Sequence, residues 1–232
     1  MATKQSYGFC EICGHRTTKG HMLTHLQKCL GNQAEMKGDL SQLVQLRIEV
    51  VYLPMYWLDI EMKADATLMD LDNFLRGIWL ECCGHMSQFH IKDYHYLEPY
   101  EASYQIWSQE GSMDIVLSAA LGHETDSFEY EYDFGSTTHL KLRVVAKRGG
   151  QTNKDGLRLL ARNEQPDWRC TKCDQPAKHI CVYCAYEDEA VFCDNHWEEH
   201  GCDEEYSLPV VNSPRTGVCG YTGPGEQVDF WR

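Results

Sequence analysis

Alternating hydrophobicity from Gln42 to Lys147, interrupted by one stretch of helical periodicity, predicts an α+β fold: a mainly antiparallel sheet with one covering helix. Cysteines gathered into C-x-x-C pairs at both ends predict small modules flanking that domain. A chain of 232 residues has room for this arrangement, and 43% hydrophobic residues suffice for one true core.

The central elements follow in order. LRIEVVY and YWLDIEMK, the latter with Leu58, Ile60 and Met62 on one face, read as a hairpin turning at Leu53-Pro54. TLMDLDNFLRGIWLE then places Leu68, Leu71, Leu75 and Ile78 on one helical stripe, with Asp65 or Thr67 as N-cap. Further strands are expected in QFHIKDYHYL, in FEYEYDF with Phe128, Tyr130, Tyr132 and Phe134 on one side, and in THLKLRVVAK with Leu140, Leu142 and Val144 inward. These elements assign residues 40–148 to the α+β domain and 149–166 to a linker.

At the N-terminus, FCEICGHRTTKGHMLTHLQKCLG contains Cys10-x2-Cys13-x11-His25-x3-Cys29. Cys10 and Cys13 bracket a tight turn that Gly14 can leave at positive φ, and His25 and Cys29 lie at i and i+4 on one helix face. The spacing resembles a zinc finger of the ββα kind with two Cys, one His and one Cys, covering residues 1–34, with Phe9, Met22 and Leu26 as its small core. The aromatic residue such fingers carry near Thr17 is missing. His21 is an alternative to Cys29. Four protein ligands leave no open position, so zinc here would be structural.

Between residues 167 and 206 four ligand pairs follow one another: Cys170 and Cys173, Cys181 and Cys184, Cys193 and His196, His200 and Cys202. The order resembles a B-box type cross-brace. In that scheme Cys170, Cys173, Cys193 and His196 share one zinc, while Cys181, Cys184, His200 and Cys202 share another, so about three zincs are expected in all. Cys219 or His179 could stand in for a member of the last pair. With little apolar content in the segment, metal would replace a core.

The same residues admit a sharper reading. His196-Trp197-Glu198-Glu199-His200 has the H-x-x-E-H form of an inverted zincin, in which both histidines hold one catalytic zinc and a glutamate acts as base. That chemistry needs a third ligand downstream and a vacant position, whereas cysteines crowd this window. A deaminase signature is excluded by order, because its C-x-x-C follows the histidine and here both pairs precede it. No catalytic residue is therefore assigned. Asp133 and His139 could meet across a turn as an acid-base pair, but a packed hairpin explains YEYDFGSTTH more simply.

Three cysteines, Cys82, Cys83 and Cys219, have no ligand-like neighbours in sequence and read as small core residues, and His85, His90, His95 and His123 are too scattered to form a set. The tail from 207 to 232 is rich in proline and glycine and reads as irregular chain that folds back on a domain through Val210, Val211, Tyr221, Phe230 and Trp231, or equally as a peptide offered to a partner.

A formal net charge of -14 opposes indiscriminate phosphate binding. The charge is uneven. Residues 1–34 set Lys4, Arg16, Lys19 and Lys28 against Glu11, and residues 140–158 set Lys141, Arg143, Lys147, Arg148, Lys154 and Arg158 against Asp155. Nucleic acid is thus an alternative partner through these two segments, with a protein the first expectation. MATKQSYGF has no charged-then-apolar leader, and no window reaches about 18 apolar residues, so no membrane partner is expected and a cytoplasmic location is the default. In that reducing setting thiols stay free or bind metal.

The order of helix LDNFLRGIWLE, strand FHI, and YEYDFG followed by His139 resembles the plasmid Ri ORF-3-like family, which includes insertion-element passenger and resolvase-like proteins. The tail LPVVNSPRTGVCGYTG after a zinc cluster is similar to that family's zinc-bearing branch. The resemblance covers about residues 40–232. The family continues YDFG with Asp and places Trp before the His; this chain has Ser136 and Thr138 there. The resemblance implies a mobile-element setting and a non-enzymatic interaction or adaptor role, with a nucleic-acid-binding accessory and a zinc hydrolase at HWEEH as alternatives.

Overall fold

A computed structural model describes residues 5–31, 41–98, 109–153, 156–185 and 190–224. In chain order, strands β1 (Tyr7–Cys10) and β2 (Arg16–Thr18) precede helix α1 (Lys19–Gly31), and β3 (Ser41–Val50) and β4 (Trp57–Lys63) precede α2 (Leu68–Leu75). Then come β5 (Ser87–Ile91), β6 (Tyr94–Leu97), β7 (Glu110–Ser112), α3 (Leu117–Leu121), β8 (Ser127–Tyr132), β9 (Thr138–Gly150) and β10 (Leu157–Asn163). The C-terminal part holds β11 (His179–Cys181), β12 (Val191–Phe192), α4 (Asp194–Glu198) and β13 (Ser207–Pro209).

Among the described residues one ten-stranded sheet runs β2-β1-β10-β4-β3-β9-β8-β5-β6-β7, antiparallel except for β6 and β7. The α+β class with a mainly antiparallel sheet is what the alternation predicts. Thr67 caps α2, accepting from the Asp70 amide while Asp70 accepts from the Thr67 amide, a reciprocal capping box. The helix loosens into a π-turn over Arg76–Leu80 and still buries Leu68, Leu71, Leu75 and Ile78 against Leu58, Ile60, Met62, Leu140 and Leu142. Short α3 adds Leu117 and Leu121 to this core, so among the described residues a second helix joins the expected one on the sheet.

Several expectations change. The presumed linker 149–166 contains β10, because Leu157, Leu159, Leu160 and Ala161 are apolar enough to be buried on both faces of the sheet. Phe134 lies outside β8 and is 44% exposed, since Asp133 at φ 64 breaks the alternation just before it. Asp133 and His139 do not pair: Asp133 meets Arg215, and His139 meets Glu131. The tail does fold back, burying Ser213, Arg215 and Tyr221, while Phe230 and Trp231 fall outside the described residues. None of the helices among the described residues is long and apolar enough to cross a membrane.

The face of the sheet opposite α2 is closed by paired charges. Asp59 on β4, wholly buried, receives both arms of the Arg47 guanidinium from β3 at 2.8 and 2.6 Å, and Arg47 also donates to the Lys19 carbonyl at the start of α1. Buried Glu61 meets Arg148 of β9 and Arg158 of β10. Cross-strand register makes these pairs: Arg47 lies opposite Asp59, and Arg158 opposite Glu61. Arg47→Met would leave Asp59 buried and unpaired, and the expected loss is about 3–5 kcal/mol, read from the urea midpoint.

Candidate metal centres

The N-terminal hairpin and α1 form the expected ββα unit. In it Cys10, Cys13, His25 and Cys29 present donor atoms that all lie within 4.8 Å of one another. Cys13 Sγ is 3.3 Å from His25 Nε2, and Cys10 Sγ is 4.0 Å from Cys29 Sγ. Tetrahedral zinc, with Zn–S near 2.3 Å and Zn–N near 2.0–2.1 Å, places its sulfurs about 3.8 Å apart and sulfur about 3.5 Å from nitrogen. The cluster has those dimensions. His21 is turned away, its Nδ1 3.0 Å from Thr18 Oγ1.

This finger borrows its core. Met22 and Leu26 are buried as expected, but they pack on Trp57 of β4 and on Leu160 and Ala161 of β10. Phe9, expected inside, is 42% exposed, because strand alternation turns Gly8 and Cys10 inward instead. Gly8 is required at its place: a Cβ there would lie 2.6 Å from the Trp57 ring and 2.3 Å from the Arg162 carbonyl oxygen. Trp57 thus gives this small core the aromatic ring that the finger itself lacks, supplied by the neighbouring domain.

The cross-brace ligands sort into two sets. Cys170, Cys173, Cys193 and His196 form one cluster, with His196 Nδ1 3.5, 3.4 and 3.3 Å from the three sulfurs in turn. Cys181, Cys184, His200 and Cys202 form the other, with Cys184 Sγ 3.5 Å from His200 Nε2 and 3.8 Å from Cys202 Sγ. The small sheet β12-β11-β13 fixes their spacing, since β11 delivers Cys181, β12 leads into Cys193, and α4 carries His196 one turn on. His179 joins neither cluster; it bonds Asp194 and Ser207 and stacks on Trp197.

This geometry bears directly on HWEEH. Helix α4 ends at Glu198, so His200 lies beyond it and turns to the second cluster while His196 turns to the first. The two histidines do not share an ion position, as an inverted zincin requires.

A fourth cluster was not expected. Cys82, Cys83, His85 and Cys219 bring their donors together, with Cys83 Sγ 3.7 Å from Cys82 Sγ and 3.5 Å from Cys219 Sγ. Cys83 and Cys219 are exposed, which corrects their reading as core residues, and His85 joins them. The signal in the sequence is the run Cys82-Cys83-Gly84-His85, but its fourth member is more than 130 residues away and only the fold brings it near. His90 and His95 stack on each other across β5 and β6 instead.

All twelve cysteines are free thiols. Burial raises Cys170, but backbone amides of Cys193, Lys172 and Cys173 aimed at its sulfur outweigh that and bring it down to about 6, so it is thiolate at neutral pH. Desolvation and the nearby sulfurs of Cys13 and Cys10 push Cys29 up to about 12, and desolvation with Cys181 and Cys202 does the same to Cys184. Thiolates this close repel, and a divalent cation is the counter-charge that lets all of them ionise.

No family model and no curated protein matches the chain. Among solved structures it is similar to a protein of unknown function, MM3350, from Methanosarcina mazei Go1, with 15% identity and a TM-score of 0.44 over 53% of this chain and 69% of that one.

Truncating the borrowed aromatic, Trp57→Ala, should cost about 3–5 kcal/mol. Hydrogen exchange should show the loss of protection spreading into α1 of the finger as well as along β4.

Proposed function

We propose that this chain is a non-enzymatic zinc-binding interaction or adaptor protein of the plasmid Ri ORF-3-like, mobile-element-associated kind. The observation that carries the reading is that Cys10, Cys13, His25 and Cys29, and both cross-brace quartets, are four-donor sets of thiols and imidazole, which close a zinc against substrate or water. Free thiols throughout suit a reducing, cytoplasmic setting.

A protein partner is favoured over nucleic acid by how the basic residues are spent. Arg16 pairs with Glu164, Lys19 with Glu49, and Arg148 and Arg158 with Glu61, so four of the ten basic residues in the two segments are spent within the fold. Two surfaces suit a protein. The β3–β4 turn exposes Val51, Tyr52, Leu53 and Met55, with Tyr52 at 80%. At the cross-brace, an open groove of about 580 Å³ sets Trp197 and His179 beside Glu198 and Glu204, two carboxylates that suit a basic side chain, while Asp194 in the same groove is already held by Lys178 and His179.

Metal analysis of the purified, reduced chain tests the reading, which requires zinc in these three quartets. Cys13→Ser, Cys173→Ser and Cys184→Ser should each remove one equivalent; if any of them leaves the zinc content unchanged, that quartet is not a site. Glu199→Gln should leave zinc content and partner capture unaltered. A hydrolytic activity lost in that variant would overturn the non-enzymatic reading.

A further inference from the structure

We infer that Cys82, Cys83, His85 and Cys219 form a fourth zinc site, one that latches the C-terminal tail onto the α+β domain. It rests on none of the other three ligand sets. Its donors come from two segments that regular structure does not join: the loop after the π-turn of α2, and a turn of the tail.

The loop is shaped for the purpose. Gly84 at φ 75 reverses the chain so that His85 returns toward Cys83, and its amide is held by the Glu81 carboxylate. His85 Nε2 then lies 3.0 Å from Cys83 Sγ and 3.1 Å from Cys219 Sγ. These separations are about half an ångström inside those around zinc, a gap that small χ rotations open. On the other side, Cys219 sits at φ 50, a left-handed conformation that costs a side-chain-bearing residue energy and persists only where its surroundings impose it. Gly217 and Gly220, also at positive φ, complete the turn that aims Cys219 at the loop.

A buried cation also stands at the cluster, shared with one carboxylate. Three thiolates and a neutral imidazole around Zn2+ leave one negative charge in excess. The tail brings a cation with its cysteine: Arg215, wholly buried, lies 3.4 Å from Cys82 Sγ, 2.9 Å from Asp133 Oδ2 and above the Tyr132 ring. Arg215 thus faces both the sulfur cluster and Asp133, whose carboxylate is also 3.5 Å from His85 Nε2.

The latch has a structural consequence. The tail begins in β13, which belongs to the cross-brace sheet, passes Asn212 bonded to Arg162 and Asn163 of β10 and Ser213 bonded to the Trp79 carbonyl, and then reaches Cys219. An ion there would fix how the cross-brace sits on the large sheet, and so how the Trp197 groove is presented.

The test uses the full chain under reducing conditions, with zinc per chain and hydrogen exchange as readouts. The wild type should hold four zincs; Cys219→Ser and His85→Gln should each hold three, with amides of residues 209–221 exchanging about tenfold faster or more while those of β3 and β4 keep their protection. Cys13→Ser should also lose one zinc but leave tail exchange unchanged. Zinc content unaffected by both Cys219→Ser and His85→Gln, or a three-zinc protein two hydrogens lighter because Cys83 and Cys219 have formed a disulfide, would overturn the fourth site. Loss of one zinc in these variants with no change in tail exchange would overturn the latch. Three zincs or fewer in the wild type, with one still lost in both variants, would instead overturn the structural reading of the other quartets and leave the latch standing.

Discussion

The placement of β10 between β1 and β4 is the constraint on which the architecture depends. Without it, a finger, a sheet and a cross-brace would be beads on a string. With it, the finger hairpin continues the large sheet, Leu160 and Ala161 reach the finger core, and Asn163 and Arg162 hold the incoming tail. The strand can do this because it is apolar on both faces: Leu157 and Leu159 join the core under α2, while Leu160 and Ala161, at and beyond a register shift against β4, join the finger core.

The buried charges follow from the same constraint. A sheet covered on one face by helices and on the other partly by a small finger must do something with its second face, and here β3, β4, β9 and β10 answer with Arg47, Asp59, Glu61, Arg148 and Arg158 in cross-strand pairs. Such pairs add little net stability compared with apolar substitutes, but each is costly to break singly. They also withdraw basic residues from the surface, which links the packing of the sheet to the kind of partner the surface can take.

The ligand clusters share one logic at different ranges. Within the finger and the cross-brace, C-x-x-C turns and one helical turn bring donors together, so short spacing and the final geometry agree. At Cys82, Cys83, His85 and Cys219, three of the four donors are local and the fourth arrives through a docked tail whose anchor is the Arg215–Asp133 ion pair. The docked tail, not spacing, assembles that cluster.

The sequence by itself determined what is periodic or local: the alternating strands, the stripe of α2, and three donor quartets, because pleat, helical pitch and chelating turns are set by neighbours a few residues apart. Tertiary structure alone decided the rest. It placed Leu157–Asn163 in a strand and not a linker, let Trp57 complete a finger from another domain, and joined Cys219 to Cys82. Each of these depends on a partner far along the chain, and no local pattern carries the identity of a distant neighbour.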